Sequence, residues 1–236
     1  MKTINEIRLA RLAGCLYLLL IPMGVFGILY IPQWIEVADD SSATLASLAV
    51  HATTVRLSIL CAFAIQLTQL FLVIALYYLL RPYGVIAARF MVLFTLVTIP
   101  IALFNELSHI TALLLPESDL LRGVFNPQQL NALTLFLLEL HRQGIMIAHL
   151  FWGLWLMPMG YLVYRCGFLP KIIGLLLIIA GIGYCLDTVT FFAFATDRYL
   201  IAQYTFLGEV LLPIALLWQA YTRSKMLCSH NAQSPV

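Results

Sequence analysis

Residues 171–192 read KIIGLLLIIAGIGYCLDTVTFF, a run in which only Lys171 and Asp187 carry charge. A stretch this long and apolar, read as a helix, crosses a hydrocarbon core of about 30 Å. Working outward, the same composition recurs at Leu12–Ile31, Arg56–Leu80, Ala88–Leu115, Ile145–Tyr164 and Tyr204–Tyr221, which with Lys171–Phe192 makes six spans. The predicted fold class is therefore all-α: a polytopic transmembrane helical bundle with six spanning helices.

The whole chain agrees. It is 62% hydrophobic and 10% charged, with a mean hydropathy of +0.96, against roughly 25% charged in an ordinary soluble domain. One core cannot hide that much apolar surface, so lipid is the solvent. The net charge of +2 leaves no basic patch of the kind that binds nucleic acid. The five cysteines fall singly, which supports neither a disulfide framework nor a zinc ribbon.

The first run follows Lys2, Arg8 and Arg11 and superficially resembles a secretory signal. It is too long for one and lacks a small-residue cleavage site, so it is read as a retained helix. Residues 127–143 carry Asn131 and Glu139 and end in His141-Arg142-Gln143-Gly144. They are expected to form an interfacial or re-entrant helix, or an extension of the fourth span. No linker interrupts 1–222, which is read as one domain, and 223–236 is expected to be a disordered cytoplasmic tail.

Nine of the thirteen Lys and Arg lie at the N-terminus, in the second and fourth loops (Arg81, Arg89, Arg165, Lys171) and after Thr222. Basic residues near span ends stay on the cytoplasmic side, which with an even number of spans predicts both termini inside. The expected location is the bacterial cytoplasmic membrane, as a multi-pass protein. Glu36, Asp39, Asp40, Glu117, Asp119 and Asp197 fall in the opposite loops. Tyr30, Trp34, Tyr83, Tyr199 and Tyr221 sit near predicted interfaces, as an aromatic belt does. Pro22, Pro100, Pro158 and Pro213 lie inside spans. Gly160, Gly167, Gly174 and Gly181 are evenly spaced, but the series crosses a turn and only Gly174 and Gly181 share one helical face.

Ionisable groups at membrane depth cost about 2.5–3.5 kcal/mol each at a helix centre, and each needs a partner or a wet cavity. Asn105, Glu106 and His109 crowd one face of the third span at i,i+3 and i,i+4 spacing. Asp187 lies late in the fifth span and Glu209 early in the sixth. Arg142 and His149 share a stripe in the fourth, from which His141 points about 80° away. Alternating helix direction places Glu106, His109, His149, Asp187 and Glu209 in the outer half, with Arg56 entering from the same side. The candidate ligand-binding residues are thus Arg56, Asn105, Glu106, His109, His141, Arg142, His149, Asp187 and Glu209. Glu106-x-x-His109 also matches a pair used by di-iron bundles, and Glu106, His109 and His149 are candidates for a metal. No nucleophile elbow, P-loop, Rossmann glycine pattern or H-E-x-x-H occurs.

The segment from Gly160 to Asp187, with its Gly167-Phe-Leu-Pro170 turn, resembles a bacterial membrane family known as domain of unknown function 4386. Arg11-Leu-Ala-Gly-Cys-Leu-Tyr17, Arg56-Leu57, Leu79-Leu-Arg-Pro82 and Leu140-His141 before Gly153 carry the resemblance over nearly the whole chain. It implies a polytopic helical protein and brings no activity, substrate or cofactor. Arg56, His141 and Asp187 are the polar positions that match.

Three functions remain open at this stage. The leading expectation is a membrane protein that binds or transports an apolar or amphipathic small molecule in an outer-half polar pocket. The alternatives are an intramembrane enzyme using carboxylate and His acid–base or metal chemistry on a lipid-like substrate, and a structural subunit whose polar groups only hold helices together. The lipid bilayer is the expected partner, and no cofactor is named by the residues.

Overall fold

The computed structural model describes residues 2–30, 40–194 and 201–232, and contains no strand among them. Trp34, Glu36, Asp39, Asp197 and Tyr199 of the expected loops lie outside the described residues. Seven helices of two turns or more follow in order: α1 (Lys2–Gly24), α2 (Ser41–Val50), α3 (Ala52–Leu80), α4 (Val85–Leu114), α5 (Pro127–Arg165), α6 (Lys171–Phe194) and α7 (Leu207–Ala232). A π-helical turn, Val25–Tyr30, continues α1, and the four-residue helix Ala202–Thr205 precedes α7.

The all-α membrane bundle expected from the sequence is what forms. Among the described residues, five helical segments, Ile4–Gly27, Ala52–Tyr83, Val85–Glu117, Pro127–Arg165 and Lys171–Phe194, are long and apolar enough to cross a membrane. The expected sixth span forms as helix α7, which carries Glu209, Gln219, Arg223 and Lys225 and is not one of those five. Pro22, Pro100, Pro158 and Pro213 lie inside α1, α4, α5 and α7.

Two features were not foreseen. Helix α2 occupies a stretch read as loop. Asp40 caps it, accepting from the Ala43 amide at 2.9 Å and from the Ser42 hydroxyl at 2.7 Å, a local signal that hydropathy does not register. Helix α7 runs on through Ala232, so much of the tail expected to be disordered is helical; Arg223 sits 3.6 Å from Glu6 and over the Phe168 ring. Residues 127–143 are the start of α5 rather than a separate helix. Asn126 and Gln129 form a reciprocal capping box, with 2.9 and 3.0 Å bonds between each side chain and the other's amide, and Pro127 takes the first helical position.

The chain groups into two compact units. The first comprises Met1–Leu20, Thr68–Thr98 and His149–Val236. Its core is built from Ala13 and Tyr17 of α1, Leu72 and Leu76 of α3, Met91 of α4, Leu156 and Met159 of α5, Leu177 of α6, and Leu212 and Leu216 of α7. Basic residues at the helix ends of this unit lie against aromatic rings: Arg81 over Tyr78, Arg165 over Tyr161 and Lys171 over Tyr164. Such pairs suit a membrane interface, where a ring and a cation share one wet, half-apolar layer.

Inside the first unit, α5 and α6 form a hairpin that turns on Gly167, whose φ of +70° is left-handed backbone natural to glycine. Pro170 then prevents the old helix from continuing. The glycines reflect about this turn. A Cβ on Gly160 would lie 2.6 Å from the Gly174 carbonyl oxygen, and one on Gly153 would lie 2.6 Å from that of Gly181. The even spacing noted in the sequence is thus one glycine ladder folded back on itself, letting the two backbones touch.

The second unit comprises Ile21–Leu67 and Ile99–Ala148. A smaller core joins Leu48 of α2, Val55 and Ile59 of α3, Ala112 and Leu113 of α4 and Leu138 of α5. Here α4 is inside out relative to a helix in water. Phe104 is 75% exposed while its neighbours Asn105 and Glu106 are 9% exposed. Lipid explains both, because it solvates the ring and penalises the amide and carboxyl.

Candidate functional site

The expected site residues fall into two groups, one in each unit. In the second unit, α4 brings Asn105, Glu106 and His109 to one face, as their spacing predicts. Residue 141 of α5 meets them. The Asn105 amide nitrogen donates to the His141 carbonyl oxygen at 2.9 Å, and the His141 Nδ1 lies 3.3 Å from the Asn105 carbonyl oxygen and 3.2 Å from Asn105 Nδ2. The His109 and His141 rings overlap, with centroids 4.4 Å apart and planes tilted by 37°. His109 Nδ1 is 3.7 Å from Glu106 Oε2, and both side chains are 12% exposed. One ligand atom from each of Glu106, His109 and His141 can be chosen so that all lie within 4.8 Å of one another.

Gly144 makes this contact possible. A Cβ there would overlap the Asn105 carboxamide, so the absence of a side chain one turn beyond His141 lets Asn105 reach the α5 backbone. The sequence contains the signal in His141-Arg142-Gln143-Gly144, where glycine follows a polar triplet inside a helix, but a packing role is invisible without the partner helix.

Arg142 and Glu139 pair with each other. Arg142 Nε and Nη2 donate to the two Glu139 oxygens at 2.8 and 2.9 Å, and Gln143 adds a third bond at 2.5 Å. The pair is partly exposed, so it neutralises charge locally and contributes at most about 1 kcal/mol. Arg56 is exposed on α3.

In the first unit, Asp187 is 1% exposed, and its two oxygens accept from the backbone amides of Ile201 and Ala202 at 2.6 and 2.9 Å. Both accept a donor at the start of the short helix before α7, which is a capping role. Glu209 accepts from the Tyr17 hydroxyl at 3.3 Å and has Tyr184 beside it. Its other oxygen, Oε1, is buried without a hydrogen-bond partner. His149 packs its ring 4.5 Å from Tyr184 and 5.6 Å from Trp152, and its Nδ1 is likewise unpartnered. Tyr17 and Tyr184, which hold Glu209, were not among the expected site residues, since a tyrosine inside an apolar run reads as core. His141, one of the nine candidates, is the imidazole that lies beside Glu106 and His109 within the second unit. A cleft in the first unit, lined in part by Glu6, Tyr83, Phe168 and Arg223, includes none of the nine candidates.

Five apolar helices of membrane-crossing length among the described residues, with large apolar side chains such as Phe71, Phe104 and Phe136 left exposed, define a multi-pass helical membrane protein. The chain belongs to the family described as Domain of unknown function (DUF4386), whose model matches residues 12–220. A protein of Archaeoglobus fulgidus described as uncharacterized is 41% identical over 66 residues, 28% of this chain and 39% of that protein. This match thus spans about two fifths of the relative's length. No solved structure matches.

Proposed function

We propose that this membrane protein binds an amphipathic small molecule, whose polar head is held by Asn105, Glu106, His109 and His141 while its apolar part stays in the surrounding lipid-like surface. The observation behind this reading is the gathering of a carboxylate and two imidazoles, from two helices, on the inward face of an otherwise apolar segment. Helix glue alone needs one or two hydrogen bonds, which Asn105 already supplies. Glu106 and His109 remain over and above that requirement, and groups this costly at membrane depth are functional by default. On this reading α7 crosses as a sixth span and the protein resides in the cytoplasmic membrane with both termini inside, as the basic residues suggest; reporter fusions at Ala43 and Ser229 then fall in opposite compartments, with Ser229 cytoplasmic.

The test is native mass spectrometry of the full chain purified in lipid nanodiscs. A small molecule should co-purify with the wild type and be lost from Glu106→Gln and His141→Ala at unchanged helix content. A wild-type chain carrying only bulk lipid, with both variants merely less stable, supports the structural-subunit reading instead.

A further inference from the structure

We propose that Glu106, His109 and His141 bind a divalent first-row transition metal ion, with zinc as its simplest occupant. The inference rests on reading the α4–α5 group as a ligand-holding centre, and names the chemistry that centre uses.

The donor set comes first. Two imidazoles and one carboxylate are the ligands of the commonest open zinc sites and of the facial triad that holds non-haem iron. A set of three leaves at least one coordination position free, so an oxygen of a bound molecule or of water completes the shell. The helix geometry comes second. Glu106 and His109 are one turn apart on α4, and His141 approaches from α5 with its ring against that of His109. Bonds of about 2.0–2.1 Å place tetrahedral ligand atoms about 3.4 Å apart. Ligand atoms already within 4.8 Å of one another close to that spacing by side-chain torsions, without moving either helix.

The surroundings of His141 are the third observation. Its Nδ1 lies 3.3 Å from the Asn105 carbonyl oxygen. When Nδ1–H donates there, the tautomer is set and Nε2 keeps its lone pair for a metal. A histidine ligand almost always donates its other N–H to a carbonyl or carboxylate in this way. Asn105 in turn is seated against α5 only because Gly144 leaves room for it.

The experiment uses the full chain in lipid nanodiscs, stripped with a chelator and then equilibrated with Co2+ alone. The visible absorption of bound Co2+ and the metal content per chain are read. About one Co2+ per chain is expected, displaced by Zn2+. Glu106→Gln, His109→Ala and His141→Ala should each weaken binding by at least about tenfold, and Asn105→Ala, acting through His141, by roughly 10–100-fold. Should a ligand variant fail to fold, the wild-type chain loaded with Cu2+ still decides the matter, because its electron paramagnetic resonance spectrum must show nitrogen coupling from two imidazoles.

No Co2+ retained by the wild type, or retention unchanged in Glu106→Gln and His141→Ala, overturns the metal. If the co-purified small molecule is nevertheless lost from those variants, the ligand-holding reading stands and only the metal falls. If neither metal nor small molecule depends on them, both fall together.

Discussion

Gly160 of α5 and Gly174 of α6 touch backbone to backbone: a Cβ on Gly174 would lie 2.5 Å from the Gly160 carbonyl oxygen and 2.5 Å from the Tyr164 nitrogen. Neither neighbour is the flexible end of a side chain, so any added carbon separates the helices. Gly160→Ala or Gly174→Ala should therefore lower stability by a net of about 1–2 kcal/mol, an overpacking cost of up to about 3 kcal/mol exceeding a helix-propensity gain of about 1 kcal/mol. Denaturant titration in detergent micelles measures this. Gly24→Ala, with open space around it, is the control and should not destabilise. Equal behaviour of the three variants would mean that the hairpin does not pack on its glycines.

Asp187 is expected to act as a cap. Replacing it by alanine leaves the Ile201 and Ala202 amides without their acceptor, which should cost about 1–3 kcal/mol, whereas Asp187→Asn keeps one acceptor and costs less. Hydrogen exchange at Ile201 and Ala202 should speed up in the order wild type, Asn, Ala. Metal and small-molecule retention in the second unit should be unchanged in Asp187→Asn; loss of retention at normal stability would show that the residue belongs to the binding chemistry.

Gly144→Ala separates helix stability from site integrity. Alanine favours a helix over glycine by about 0.8–1 kcal/mol, yet its Cβ would displace the Asn105 carboxamide and with it the positioning of His141. The expected result is helix content equal to or above that of the wild type, together with weakened Co2+ binding. Wild-type binding in this variant would remove Asn105 from the design.

The cap of α2 predicts a pH dependence outside the membrane. The Ala43 amide, and then the Ser42 hydroxyl, hold the Asp40 carboxyl below its ordinary pKa of 3.8. A depressed pKa in the folded state means that the cap is at full strength above that value and weakens as pH falls below it. The protection factor of the Ala43 amide, corrected for intrinsic exchange, should thus fall below about pH 4. Asp40→Ala should abolish the pH dependence by removing the cap, and Asp40→Ser should keep protection without the titration. A wild-type protection factor that stays flat to pH 3 counts against the cap.

The apolar run at 171–192, its five relatives along the chain and the i,i+3 placement of Glu106 and His109 are properties of consecutive residues. A helix repeats every 3.6 residues and lipid demands unbroken apolar length, so these could be read directly. The 80° between His141 and the Arg142–His149 stripe was equally legible, since it is one helix's own geometry. What the sequence could not decide was which stripe of α5 turns towards α4. That choice belongs to the packing of two helices, and here Gly144 is the residue that admits Asn105. It brings His141 to Glu106 and His109. Asp187 shows the same division: its depth is written in the hydropathy, but its partners are two amides 14 and 15 residues away. Periodicity along one helix is local and survives in the sequence, whereas the meeting of faces depends on the shape of every residue between them and exists only in the folded chain.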